Sequence, residues 1–259
     1  MPPDSLSTPG VSRDALLAAF DGLLQPSLFK DYGPNGLQVE GGVRVRKLVS
    51  GVTASQALID AAVDAGADAI FVHHGLFWRG QDGRVTGWMK RRLARLLAHD
   101  ISLFAYHLPL DAHPQLGNNA QLAQRLGVAM TDGARFGDQS LGCVGTRPEG
   151  TAAALATDME RVLGRPVLLV GEPQRRVTRV GLCSGGAQGY FEAAIAAGVD
   201  VFITGEISEP QVHYARETGV AYIACGHHAS ERYGAPAVAA HVAGRLGIEH
   251  VFIDIPNPA

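Results

Sequence analysis

Short, almost continuous apolar runs alternate along this chain with segments whose apolar residues recur at helical spacing. Asp14 to Leu24 reads as a helix, Val43 to Val52 as a β-rich run and Ala54 to Gly66 as a second helix. Asp68 to Val72 is a buried strand that stops at His73-His74; Gly87 to His99 is helical and leads into the apolar run Ile101 to Tyr106. Strands and helices alternating in this way predict βαβ units and a mainly parallel sheet, an α/β fold. The stretch Asp31 to Gly42, DYGPNGLQVEGG, is polar and carries turn chemistry at Pro34-Asn35-Gly36. In the basic helix, leucines 93, 96 and 97 are interspersed with and follow Lys90, Arg91, Arg92 and Arg95, the pattern of a solvated amphipathic face.

The second half repeats this order. Residues 60–68, DAAVDAGAD, lie over 192–200, EAAIAAGVD, without a gap, each a helix end, a glycine stop and the entry to a strand. In the same register Ala69 to Val72 matches Val201 to Thr204, so His73-His74 falls over Gly205-Glu206. The runs Ile101 to Tyr106 and Val220 to Cys225 also correspond, each followed by a histidine with a carboxylate four residues on: His107/Asp111 and His227/Glu231. The expected organisation is therefore two similar α/β domains with mainly parallel sheets, residues 1–126 and 127–259.

Composition narrows the function by exclusion. The chain has 259 residues, 46% hydrophobic and 18% charged, with a formal net charge of -3 and no basic block, so a nucleic-acid partner is not implied. No apolar run reaches the length of a membrane span, and Met1 to Gly10 lacks the features of a signal peptide; a cytoplasmic protein without a membrane partner is expected. The three cysteines, Cys143, Cys183 and Cys225, form no CxxC pair and read as buried thiols. No glycine-rich dinucleotide motif follows the first strand, where the residues are Ser50-Gly51-Val52-Thr53-Ala54, which argues against a dehydrogenase.

What remains is a set of polar residues where strands end, the place ligands occupy in open α/β sheets. His73, His74, His107, Asp111, His227 and Glu231 combine imidazole with carboxylate, a donor set suited to Zn, Mn, Fe or Ni, and they outnumber what one tetrahedral ion needs. A dinuclear centre is the natural reading, with His107 as either ligand or supporting group. His227 and Glu231, four apart, share a face if a helix starts there. Glu206, which parallels His74 in the repeat, is a candidate general base or a residue that orients a ligand. His99, His113, His213, His241 and His250 read as core or surface histidines. The turn Ser184 to Gly189 is either a tight strand-to-helix connection, the favoured reading, or a cradle of backbone N–H groups for phosphate. A substrate is expected to enter between Tyr32 to Gly42 and His107 to Asn119, with Asn35, Asn118 and Asn119 orienting it.

The segments YGPNGLQVEG (32–41), VHHGLFW (72–78), YHLPLDAHPQLGNN (106–119), TGEISEPQVHYARETG (204–219) and GHHASERYG (226–234) together resemble the Nif-three-like, or YbgI-like, dinuclear metal-centre family, many members of which are labelled GTP cyclohydrolase I type 2 homologue. The resemblance runs from about residue 12 to the C-terminus. It implies two interlinked α/β domains of similar topology, a toroidal homohexamer and two divalent ions per subunit. His73 and His74 match the family's paired histidines, Asp111 its loop aspartate, His227 and Glu231 its C-terminal ligands, and His107 a histidine near the metals. Gly75 stands where proline is common and Ser230 where threonine often occurs. The expected function is a metal-dependent hydrolase of a nucleotide or related small molecule, with Glu231, Glu206 and His107 as catalytic candidates. The rival is a non-catalytic metal-binding scaffold.

Overall fold

The computed structural model describes residues 10–259. In chain order its strands and helices are β1 (Val11–Ser12), α1 (Arg13–Leu24), β2 (Gly36–Val39), β3 (Arg44–Val45), β4 (Lys47–Thr53), α2 (Gln56–Asp64), β5 (Ala69–His74), α3 (Gly87–Ala98), β6 (Ser102–Ala105) and α4 (Leu108–Ala112). There follow α5 (Asn118–Arg125), β7 (Ala129–Phe136), β8 (Gly142–Thr151), α6 (Ala152–Leu163), β9 (Leu168–Val170), β10 (Arg176–Leu182) and α7 (Phe191–Ala196). The last elements are β11 (Val201–Thr204), α8 (Glu209–Thr218), β12 (Ala221–Ala224), α9 (His227–Glu231), α10 (Gly234–Leu246) and β13 (Glu249–Phe252).

The chain divides into two compact units. One runs up to Leu110 and takes in Ala235–Ile255; the other comprises Asp111–Gly234 and Pro256–Ala259. These units differ in extent from halves divided after residue 126. The physical reason is packing: Leu122, Ala123 and Leu126 of the α5 region belong to the second unit's core, while β13 extends the first unit's sheet beside β4.

The first unit holds a five-stranded sheet in the order β13-β4-β5-β6-β2, parallel except for β2. Side chains alternate across it. Val49, Ile70, Val72, Leu103 and Ala105 meet Leu58 and Ile59 of α2 and Met89 and Leu96 of α3. On the opposite face Phe20 of α1 stacks on Phe71 with ring centroids 4.5 Å apart and touches Phe104 and Tyr106. Helix α1 starts where Ser12 accepts a hydrogen bond from the Ala15 amide, and α2 where Ser55 does the same for Leu58.

The second unit's sheet, β7-β8-β10-β11-β12-β9, is mixed: β10, β11 and β12 are parallel, and β7, β8 and β9 pair antiparallel. Leu155 and Met159 of α6 pack with Val180, Val201, Ile203 and Ile223 on one face, and Phe191, Phe202 and Tyr222 form an aromatic cluster.

The two units repeat one topology. The series α1-β2-β4-α2-β5-α3-β6 has the same order and pairings as α6-β9-β10-α7-β11-α8-β12, including a short strand that precedes the first parallel strand yet pairs antiparallel with the last. Register agrees at the level of single hydrogen bonds. Asp68 Oδ2 accepts from the amides of Arg46 and Lys47, and Asp200 Oδ2 from those of Thr178 and Arg179. Lys47 Nζ donates to the Ala65 carbonyl, as Arg179 Nη2 does to Ala197. Leu48 faces Ala69 as Val180 faces Val201, which sets Gly205-Glu206 at the position of His73-His74. After the third parallel strand each unit spends two residues before its short helix, Tyr106-His107 and Cys225-Gly226, so His107 lies over Gly226 and His227, the first residue of α9, lies over Leu108 of α4.

Burial opposes ionisation of Asp200, but the amides it accepts from outweigh that and hold its carboxyl below the usual range. Its contribution to stability is therefore present above that range and lost on acidification. Asp200→Ala should cost about 1–3 kcal/mol near neutral pH by urea unfolding, because two amides lose their acceptor. The gap from the parent should narrow as the pH falls through the carboxylate range.

Candidate metal centre

Strand β5 does not end before its histidines; it continues through both, Thr53 pairing with His74 across from β4. His73 is fully buried and its Nδ1 lies 3.1 Å from the carbonyl oxygen of Tyr106. A carbonyl only accepts, so Nδ1 carries the proton and, in the neutral ring, Nε2 keeps its lone pair. His74 Nδ1 bonds Thr53 Oγ1 at 3.0 Å, and His107 Nδ1 donates to Asp31 Oδ1 at 2.7 Å. The rings of His73 and His74 stand 4.4 Å apart, and His73 and His107 5.0 Å, and the three residues can offer one nitrogen each within 4.8 Å of one another.

Asp31 is the anchor of this group. It accepts from His107 Nδ1, from Asn35 Nδ2 at 2.9 Å and from the Leu108 amide at 2.9 Å, while Asn35 Oδ1 takes the His107 amide at 2.7 Å. Burial works against its charge, but these donors, His107 first, prevail and keep Asp31 below the ordinary carboxylate range.

The second unit has donors of its own. His227 and Glu231, one turn apart in α9, face each other with Nε2 3.2 Å from Oε2, and His227 Nδ1 bonds Glu206 Oε1 at 2.6 Å. Glu206 thus orients His227, and Gln188 Nε2 holds its other oxygen at 3.1 Å. The hydrogen bond to Glu231, and after it Glu206, raises the His227 imidazole to about 9 in the metal-free protein, against the effect of burial. Asp111 Oδ1 accepts from Asn118 Nδ2 at 2.8 Å and Ser184 Oγ at 3.0 Å. Asp111 and Glu231 are 7% and 2% exposed, and a buried carboxylate is costly unless hydrogen-bond donors or a cation face it.

The turn after β10 serves this carboxylate pair. The amides of Ser184, Gly185 and Ala187 go to Asn119 Oδ1, Ser230 Oγ and Thr204 Oγ1, so the turn is tied down internally and those amides form no phosphate cradle. Gly185 has φ +69°, and a Cβ there would collide with Glu231 Oε1. Asn35, Asn118 and Asn119 likewise spend both ends of their amides on the protein, Asn118 on Asp111 and the Gly234 amide and Asn119 on Leu141 and Ser184. They hold site residues in place instead of orienting a substrate. In the first unit Asp31 and Thr53 hold histidines without having stood out as candidates in the sequence, and the polar stretch that opens at Asp31 is the only signal for it; in the second, Ser184, read as part of a turn, holds Asp111.

The cysteines contribute no ligand. All three are buried; burial pushes the Cys143 and Cys225 thiols up to about 12, and Cys183, beside Asp111, also well up. Among the other histidines, His250 bonds Ser50 in the first sheet and His213 pairs with Glu209 on α8.

Imidazoles fixed by carbonyl, hydroxyl and carboxylate partners, together with buried carboxylates, fit a divalent ion of borderline character. The family model described as Duf34/NIF3 (NGG1p interacting factor 3) matches residues 11–258. The chain belongs to the DUF34/NIF3 family. Relatives named GTP cyclohydrolase 1 type 2 homolog include one from Neisseria meningitidis serogroup A, 55% identical over 91% of this chain and 94% of its own, and one from Pseudomonas aeruginosa, 51% identical over 96% and 99%. The solved structure of protein ybgI, described as of unknown function, matches with TM-score 0.92 and 46% identity over 96% of this chain and 100% of its own. A Thermus thermophilus protein of known structure matches with TM-score 0.86 and 35% identity over the same shares. Within this DUF34/NIF3 chain no described helix is long and apolar enough to cross a membrane.

A titration of His227 by NMR in chelator-treated protein should show a midpoint near 9, moved down by Glu231→Gln and less by Glu206→Gln. Because this value is raised above the unfolded one, the stability it lends is complete below about pH 6.5 and lost as pH rises through the folded midpoint. Metal-free protein should therefore unfold more readily at alkaline pH, and Glu231→Gln should flatten that dependence.

Proposed function

We propose that this chain binds two divalent metal ions through His73, His74, Asp111, His227 and Glu231 and acts as a metal-dependent hydrolase on a nucleotide or related small molecule. The observation that carries the reading is the common tethering of His73, His74, His107 and His227 through Nδ1, which leaves Nε2 of the first, second and fourth for a metal and that of His107 for proton transfer. Bound divalent ions supply Lewis acidity toward a carbonyl or phosphoryl oxygen and acidify water, the chemistry of hydrolysis.

The chain's own residues do the rest. Thr53, Asp31 and Glu206 and the Tyr106 carbonyl fix ring orientation before a substrate arrives, which lowers the reorganisation needed during reaction. Glu231 is assigned both ligation and proton transfer. His107, held by the ionised Asp31, is assigned proton transfer at Nε2, and Glu206 acts by positioning His227. The names of the relatives support a nucleotide, GTP among them, as the substrate class. We also assign assembly as a homohexamer, on the family resemblance, and a cytoplasmic location.

Elemental analysis of protein loaded separately with Zn, Mn, Fe and Ni should find two ions per chain, and at least one loaded form should hydrolyse a nucleotide, phosphoester or cyclic amide. Glu231→Ala should abolish that hydrolysis while the fold persists by circular dichroism. Persistence of every activity in this variant, or none with any metal, would favour the scaffold role. Since His227 must release its proton to ligate, metal affinity should rise about tenfold per pH unit from about pH 7 toward 9. Calorimetric titration across that range checks it.

A further inference from the structure

We propose that Tyr32 and Trp78 form an aromatic rim that selects a planar, unsaturated heterocycle for the histidine site. The inference deepens the hydrolase reading and rests on it, since it names the part of the substrate held beside the reacting centre. Both residues lie in the first unit, on loops that follow α1 and β5.

Tyr32 is 56% exposed, one of few large apolar side chains left so open among the described residues. Its backbone is nevertheless tied on both sides. The Asp31 carboxylate takes the Tyr32 amide at 2.6 Å, and the Tyr32 carbonyl takes the Arg79 amide at 2.6 Å. Arg79 Nη2 donates to the Asp31 carbonyl at 2.8 Å. Between these bonds Gly33 lets the two loops touch: a Cβ there would collide with the Phe77 carbonyl oxygen and fall 3.4 Å from the Trp78 ring. An exposed aromatic face on a backbone held this firmly is a prepared binding surface, because little conformational freedom is lost when a ligand covers it.

The rim borders the candidate centre. Trp78 meets the His107 imidazole with centroids 5.0 Å apart at 90° and lies 6.0 Å from His74; Tyr32 meets His107 at 5.9 Å and 66°. Neither ring lies flat on His107, and the largely open ring of Tyr32 stands directly beside that imidazole. A flat ring with a π-face stacks on such a surface through dispersion and quadrupole terms, whereas a puckered saturated ring of the same polarity makes poorer contact.

The test uses the metal-loaded full chain. Guanosine, adenosine and uridine monophosphates are titrated against dihydrouridine monophosphate and ribose phosphate, with binding read by calorimetry and tryptophan fluorescence. At least one planar nucleotide should bind about tenfold more tightly than both ring-saturated and ring-free probes, in line with the strength of base stacking on aromatic side chains. Tyr32→Leu should remove this preference, Tyr32→Phe should retain it, and both should keep the parent's metal content. Equal binding of all probes, no binding of any planar nucleotide, or a preference that survives Tyr32→Leu overturns the inference. A ring preference in protein that takes up no metal would leave this inference standing and remove the hydrolase reading; bound metal without ring preference does the reverse.

Discussion

An imidazole can lend a lone pair only through the nitrogen that its neighbours leave unprotonated, and that choice is made here by the groups at Nδ1. The Tyr106 carbonyl can do nothing but accept from His73, and Asp31 and Glu206, as carboxylates, do the same for His107 and His227. The wider architecture follows from this requirement. Asp31 must be kept ionised against burial, so Asn35 and the start of α4 converge on it. Ser184 and Asn118 must satisfy Asp111, so the turn after β10 is drawn tight and Asn119 pins its first amide. Each polar commitment is local, and the parallel strands bring the pieces to their carboxyl ends.

The repeated topology shows how one framework supports two different strand ends. The aspartates at 68 and 200 close corresponding corners with the same pair of amide bonds. Beyond Val72 and Thr204 the equivalence of side chains stops. Where the first unit has His73, the second has Gly205, and a Cβ there would lie 2.6 Å from His227 Cα and 2.7 Å from the Gly185 carbonyl oxygen. Bringing α9 close enough to pose His227 removes the room for a side chain on the neighbouring strand. The second unit therefore offers its donors from a helix, and the first from a strand.

Much of this is legible in the chain. The ungapped match of 60–68 with 192–200 has a direct physical counterpart in shared hydrogen bonds, since helix end, glycine stop and strand entry are all local. The His227/Glu231 spacing foretells their meeting because α9, though only a turn and a half before its break at Arg232, is helical where it matters. Strand β2, inside the polar stretch after Asp31, escapes a sequence reading because turn residues surround it and its pairing partner β6 is distant in sequence. Strand β7 escapes it because only its last residue is buried and the rest carry no alternation. Asp31 is hidden as an anchor for the same reason: a carboxylate in a glycine-bearing loop looks solvated until the fold supplies His107 and the Leu108 amide.

The protonated state of the three buried cysteines has a consequence for metal traffic. Thiolates would outcompete imidazole and carboxylate for soft ions such as Cu(I), and a thiol near Asp111 would be well placed to trap one. With Cys143 and Cys225 raised to about 12 and Cys183 also raised, the interior keeps sulfur as an uncharged packing atom. The same protonation blunts oxidation, because peroxide attacks the thiolate and not the thiol. Held protonated in this way, each thiol gives up a proton before it can take a soft ion, and so binds one less readily than a thiol of ordinary acidity.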